Sequence, residues 1–225
     1  RANIMWPEVG SHSLIAALNG ETVVGCPFSV QTAAAQVYVP GCKMTGAGST
    51  KAVAGKRASF IVEARDNRGN RMMGGGATLS AVVRSALTPG KSVKATILDQ
   101  GDGTYVCSYT INKAGPFTIV VSSPNSQATL SATCVAGPAD PAYCRIDASD
   151  VKQIEAGTRG IVKVLRADRF DNLIPAGAEL MPFRVEVTGV GPADVETVEA
   201  GDGSAEVRFE ARAVGRYTLY VWSGF

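Results

Sequence analysis

One stretch of this chain is written twice. The run from Ala54 to Asn70 returns 102 positions later as Ala156 to Asn172. Each copy sets an Ala-Gly pair before an apolar-rich run and closes it with an Asp and an Asn four residues apart: Asp66 and Asn70, then Asp168 and Asn172. Two further landmarks recur 100 positions on, where Gly101-Asp102-Gly103 returns as Gly201-Asp202-Gly203 and Gly115 returns as Gly215. A fixed period of this kind is the mark of repeated structural units, each burying its own apolar face. Here the unit is about 100 residues, the size of a small β-sandwich.

The period divides the 225 residues into three segments. Residues 35–136 make one whole unit. Matching Gly10 to Gly215 makes residues 1–34 the last two strands of a preceding unit. Residues 137–225 replay the plan, with the final strand alone missing. Gly137 to Pro141 is a short linker stiffened by two prolines.

Within the units the apolar residues alternate at a strand period, and no window sustains a helical one. Phe60 to Ala64, Thr78 to Arg84, Val93 to Leu98, Tyr105 to Tyr109, Phe117 to Ser122 and Ala128 to Val135 are predicted strands, following Val37 to Val39 and Cys42 to Met44. Their counterparts run over Cys144 to Ile146, Ile161 to Leu165, Phe183 to Val187, Val195 to Val198, Ala205 to Phe209 and Tyr217 to Trp222. Turn signals separate them: Asn19-Gly20, Asp66 to Asn70, Thr88-Pro89-Gly90, and the two Gly-Asp-Gly sequences. About seven short strands per unit predict an all-β chain of tandem immunoglobulin-like sandwiches. Asp147 to Glu155 is the one place where a helical turn fits.

Several function classes are set aside by composition. With 22 Lys and Arg against 20 Asp and Glu, and no basic cluster, the chain has no nucleic-acid or membrane footprint. No apolar run approaches a membrane span of ~18 residues. Five cysteines, an odd number without a C-x-x-C pair, and the lack of any Asn-x-Ser/Thr acceptor favour a reducing, intracellular compartment.

The motifs that resemble chemistry read better as turns. Asp66-Asn67-Arg68-Gly69-Asn70 echoes a calcium loop, but its Gly falls two places early and Ala77 stands where a bidentate Glu is needed. Gly74-Gly75-Gly76 lacks the Lys-Ser/Thr of a phosphate cradle. Asp99 and Asp102 have no convergent ligands. His12 is the only histidine, and Cys26, Cys42, Cys107, Cys134 and Cys144 are scattered over different strands. We therefore expect no catalytic residue, no metal and no cofactor. Cys107, between Tyr105 and Tyr109, is expected to be a core thiol.

Taken in order, Ala54-Gly55, Phe60 to Val62, Arg65 to Asn70, Gly74-Gly75, Asp99 to Tyr109 and Ala114 to Phe117 resemble the filamin-type repeat. The first segment is similar to the family's closing strand, with Asn19-Gly20 followed by Gly25-Cys26-Pro27-Phe28. The last unit departs from the pattern, with Ser204 and Ala205 after Gly203 and Phe209 in place of a tyrosine. The resemblance implies a non-catalytic scaffold and protein-interaction segment of a multi-repeat protein in a cytoskeletal or ciliary assembly. An extracellular adhesion ectodomain, for example of a gamete surface, is the alternative.

Its partners are then other proteins, docking by strand addition to an exposed sheet edge, and neighbouring repeats of the same chain. By that resemblance the edge is the third strand beside the fourth. In the whole unit this means Thr78, Leu79, Ser80, Ala81, Val82 and Val83 beside Val93, Ala95 and Ile97. In the last unit it means Phe183, Val185 and Val187 beside Val195 and Val198. Cys42 and Cys134, near the first and last strands of such a sandwich, form a possible disulfide.

Overall fold

The computed structural model describes residues 4, 6, 8–87, 90–149, 151, 153–179 and 181–223. The expected turn at Thr88-Pro89-Gly90 thus lies mostly outside the described residues. Two compact units emerge, one of Arg1–Ala52, Arg57–Thr110 and Gly115–Thr133, the other of Val53–Lys56, Ile111–Ala114 and Cys134–Phe225.

In the first segment β1 (Gly10–Leu14), β2 (Ala17–Leu18), β3 (Glu21–Thr22) and β4 (Phe28–Thr32) follow one another. β1 pairs antiparallel with β4, and β2 with β3. Asn19 (φ 51°) and Gly20 (φ 87°) both turn left-handed between β2 and β3, the geometry a tight hairpin demands and Asn-Gly accepts without strain. The second of the two strands expected in this segment is thereby split into β3 and β4, on either side of Cys26 and Pro27.

The whole unit begins with β5 (Lys43–Thr45), preceded by a 3₁₀ turn at Val39–Gly41. Pro40 and Gly41 end any strand that Val37 to Val39 would have begun. β6 (Lys51–Val53), β7 (Arg57–Glu63), β8 (Ser80–Ser85), β9 (Ser92–Lys94) and β10 (Thr96–Asp99) come next. β11 (Thr104–Thr110), β12 (Gly115–Ser123) and β13 (Ser126–Val135) complete it. One sheet has the order β10-β11-β7-β5 and the other β6-β13-β12-β8-β9.

Register explains the core. β7 and β11 set Phe60 opposite Cys107 and Val62 opposite Tyr105, while β8 and β12 set Val83 opposite Ile119 and Ala81 opposite Val121. All eight are at most 3% exposed, and their intervening neighbours face out, as a period of two requires. Tyr109 joins them with edge-to-face contacts to Phe60 (6.5 Å) and Phe117 (5.8 Å). Its hydroxyl donates to the Gly48 carbonyl at 2.5 Å, so the phenol brings no unsatisfied polar atom into the core. Burying each such large side chain stabilises by about 1.5–3 kcal/mol.

The last unit consists of β14 (Arg145–Asp147), β15 (Arg159–Leu165), β16 (Phe183–Gly189), β17 (Ala193–Glu199), β18 (Ala205–Ala211) and β19 (Tyr217–Ser223). β14-β15-β18-β17 repeats the order β5-β7-β11-β10, and β16-β19 repeats β8-β12. Its core is smaller: Val162, Val164 and Val207 are buried, packed by half-buried Phe183, Val185, Phe209, Leu219 and Val221. Asp147 to Glu155 forms no helix among its described residues, only a single turn in which Val151 N donates to the Ala148 carbonyl at 3.2 Å.

Candidate functional site

The expected docking edges divide. In the whole unit β8 is not an edge. β9 pairs with it through Val82–Lys94, Val83–Val93 and Arg84–Ser92, and Ala95 N donates to Ala81 O at 2.9 Å. The expected single strand Val93 to Leu98 is split at Ala95 as the chain crosses from the sheet of β8 to the sheet of β11. Ile97, in β10, pairs with Cys107 instead. Thr78 and Leu79 precede β8 and carry no ladder. Here a partner would have to displace the protein's own strand.

In the last unit β16 has a strand partner, β19, on one side only among the described residues. Its seven pairs run from Phe183–Ser223 to Gly189–Tyr217. β16 alternates by face: Phe183, Val185 and Val187 are half-buried while Arg184, Glu186 and Thr188 are exposed. β17 forms the edge of the facing sheet. Its register sets Val195 opposite Phe209, Thr197 opposite Val207 and Glu199 opposite Ala205. These three therefore share the inward face with the core residues of β18. Val198 sits opposite Glu206 and falls on the outer face, so the two valines singled out from sequence do not line the same surface. Val195 is 38% exposed, an apolar side chain left open where the two edges meet solvent.

One end of the β16–β17 pair is closed by a group that sequence reasoning missed. Arg166 is 2% exposed. Its guanidinium reaches both oxygens of Glu199 (2.6 and 2.8 Å), the Gly203 carbonyl (3.1 Å) and the Met181 carbonyl (3.1 Å). It also lies 4.9 Å from the centroid of the Phe183 ring. Arg166 occupies the place of buried Ala64 in the repeat, and Glu199 that of Asp99. The signal was present in the alignment of the two copies as an Arg where a core Ala belongs.

The repeated Asp-to-Asn turns are structural. Asp66 accepts from Arg68 N and Asn70 N (both 2.9 Å), Asn70 Nδ2 (3.0 Å) and Ala35 N (3.3 Å). Asp168 accepts from Gly137 N (2.8 Å), Phe170 N (2.9 Å), Asn172 N (3.0 Å) and Asn172 Nδ2 (2.9 Å). Burial alone would push both carboxyls up, but the bonds from Asn70 and Asn172 and from the backbone N–H groups outweigh it and hold both below the usual range. A carboxylate spent on its own turn has no lone pair aimed at a ligand. Asp99 likewise caps Gly76 N and Gly101 N, and Asp102 caps Thr104.

All five cysteines are free thiols. Cys42 Sγ accepts from Arg65 N, just past the end of β7, whereas Cys134 precedes Val135, whose carbonyl takes the N–H of Ala54 before β7 begins. The seven residues of β7 separate those points by about 20 Å, far beyond the 7 Å that a disulfide spans. The expected Cys42–Cys134 bond is thus not formed. Cys107 is fully buried, as its place between the tyrosines predicts. Burial pushes the thiols of Cys107 and Cys134 up to about 11. His12, for its part, contacts Glu8 O and the Thr32 hydroxyl and stacks on Trp6, which holds β1 to β4.

Comparison with known proteins agrees with this architecture. The chain is 39% identical over 89 residues to the E3 ubiquitin-protein ligase TRIM71 of Bos taurus, and 40% over 72 residues to that of Gallus gallus. Those stretches are 39% and 32% of this chain but only 10% and 8% of the relatives. Among solved structures, the Escherichia coli adhesin FdeC matches with a TM-score of 0.55 at 22% identity, over 96% of this chain and 69% of that one. The bacterial integrin-binding protein invasin matches with 0.56 at 16%, over 95% and 42%. These likenesses show the immunoglobulin-like fold. A family model, the Filamin/ABP280 repeat, matches residues 36–131. The central repeat of this chain belongs to the filamin family.

Proposed function

We propose that this chain is a non-catalytic scaffold segment that docks partner proteins by adding a strand of theirs to β16. The observation that carries the reading is the contrast between the two repeats. β8 has β9 on its outer edge, and β16 has no such cover among the described residues. An uncovered edge offers backbone donors and acceptors for affinity, and the alternating Phe183, Val185 and Val187 with Val195 opposite offer pockets for specificity.

The test is selection of peptides from a displayed random library against the 225-residue chain, followed by amide-exchange mapping of the bound state. Expected are extended binders that protect residues 183–189 and are lost in Val195→Glu. Protection mapped elsewhere, or binding indifferent to that substitution, overturns the reading.

We place the segment in a multi-repeat protein of an intracellular cytoskeletal or ciliary assembly. Five free thiols support a reducing compartment. Thiol mapping of the native parent protein under non-reducing denaturation tests this. Five free cysteines support it, and a mapped disulfide moves the protein to the cell surface, as an adhesion ectodomain.

A further inference from the structure

The geometry points to Arg166 as the positioning residue of this docking edge, setting the spacing of β16 and β17 at their open end. The inference rests on the strand-addition reading above and names the residue that makes that edge available in one repeat.

β16 ends at Gly189 and β17 begins at Ala193, so three residues tether the two strands at that end. At the other end, Phe183 and Glu199, no short connection exists, and the strands belong to different sheets. Arg166 spans this end. On the β16 side it donates to the Met181 carbonyl and lies over the Phe183 ring. On the β17 side it forms a two-bond fork with Glu199 and reaches Gly203 beyond the strand. Four N–H groups of one planar, buried cation thus fix two sheet edges at once, which a flexible lysine does not do.

The whole unit solves the same problem without a bridge between side chains. There Ala64 is buried at the equivalent place. Asp99, in place of Glu199, holds the loop before β8 directly through Gly76 N and the following turn through Gly101 N. Its β8 edge is also covered by β9. The repeat that leaves its edge open is the one that carries the arginine. Glu199 itself stays 51% exposed at the groove mouth, so the bridge ends at a surface a partner reaches.

The experiment uses the full chain with Arg166→Met, Arg166→Lys and Glu199→Gln. Amide exchange is measured across β15 to β19, together with binding of a synthetic peptide bearing residues 90–97, the segment that covers β8. Expected is exchange about tenfold faster or more confined to residues 181–187 and 197–203, with β15 and β18 unchanged. Lysine should restore protection only in part, since it keeps the charge and loses the fork. Glu199→Gln keeps the shape of the side chain and serves if Arg166→Met fails to fold. Unchanged exchange at both edges, or a rise spread evenly over β15 and β18, overturns the inference. Peptide binding by the unsubstituted chain is read separately. If local loosening occurs but the peptide never binds, Arg166 still sets the spacing and the strand-addition reading is what fails.

Discussion

Replacing Asp168 with alanine tests how much of the last unit hangs on one turn. The carboxylate is 1% exposed and accepts three backbone N–H groups, from Gly137, Phe170 and Asn172, besides the Asn172 amide. Hydrogen bonds to a charged acceptor are worth about 1.5–3 kcal/mol each, and a simple sum over four would overshoot because the loop relaxes toward water. A loss of about 3–4 kcal/mol is expected, in the range of a broken buried network. Urea unfolding followed by fluorescence suits the purpose, since Trp222 lies in β19, with Trp6→Phe as background.

The acid limb gives a second readout. The folded pKa lies below the unfolded value of about 3.9, so the stabilisation is complete above that value. It is lost as pH falls through the folded pKa. Asp168→Asn should remove this acid dependence while keeping the side-chain shape. A loss below about 1 kcal/mol in the alanine variant, or acid sensitivity unchanged in both, would refute the reasoning.

Three further outcomes follow from the same geometry. Gly103 has φ +81° and a Cβ there would collide with the Met72 carbonyl, so Gly103→Ala should cost about 2–4 kcal/mol in thermal unfolding, adding backbone strain to overpacking. Tyr109→Phe strips the hydroxyl from the buried Gly48 carbonyl and should cost about 1–2 kcal/mol by the same assay. With their thiols pushed up to about 11, Cys107 and Cys134 should alkylate last in native protein at pH 8, after Cys26, Cys42 and Cys144, as mass spectrometry of timed iodoacetamide reactions would show.

Most of the fold was legible because it is local. Alternation over Phe60 to Ala64 and Tyr105 to Tyr109 named the buried faces, and Asn19-Gly20 and Gly101-Asp102-Gly103 named the turns. Non-local features were not. Whether β8 was an edge depended on three residues, Ser92 to Lys94, crossing to it before the chain turned to β11, and alternation carries no information about which sheet a strand joins. The valines of β17 failed for a simpler reason: Val195 and Val198 are an odd number of residues apart and must face opposite ways. Arg166 was hidden by expectation, since a charged residue beside an Asp-to-Asn turn reads as solvated until its acceptors are seen.

The exchange of Ala64 and Asp99 for Arg166 and Glu199 also bears on how the two repeats diverged. An arginine introduced first would have met only the shorter carboxylate of Asp99, already spent on Gly76 N and Gly101 N, and would have sat in the core poorly paired, at a cost of several kcal/mol. A glutamate introduced first would have kept the charge at the surface and loosened only the bonds to Gly76 N and Gly101 N, the smaller cost of the two. The easier mutational path therefore runs through the carboxylate. Each repeat now holds an epistatic pair, and grafting Arg166 alone into the position of Ala64 should unfold a repeat that the two changes together would leave standing.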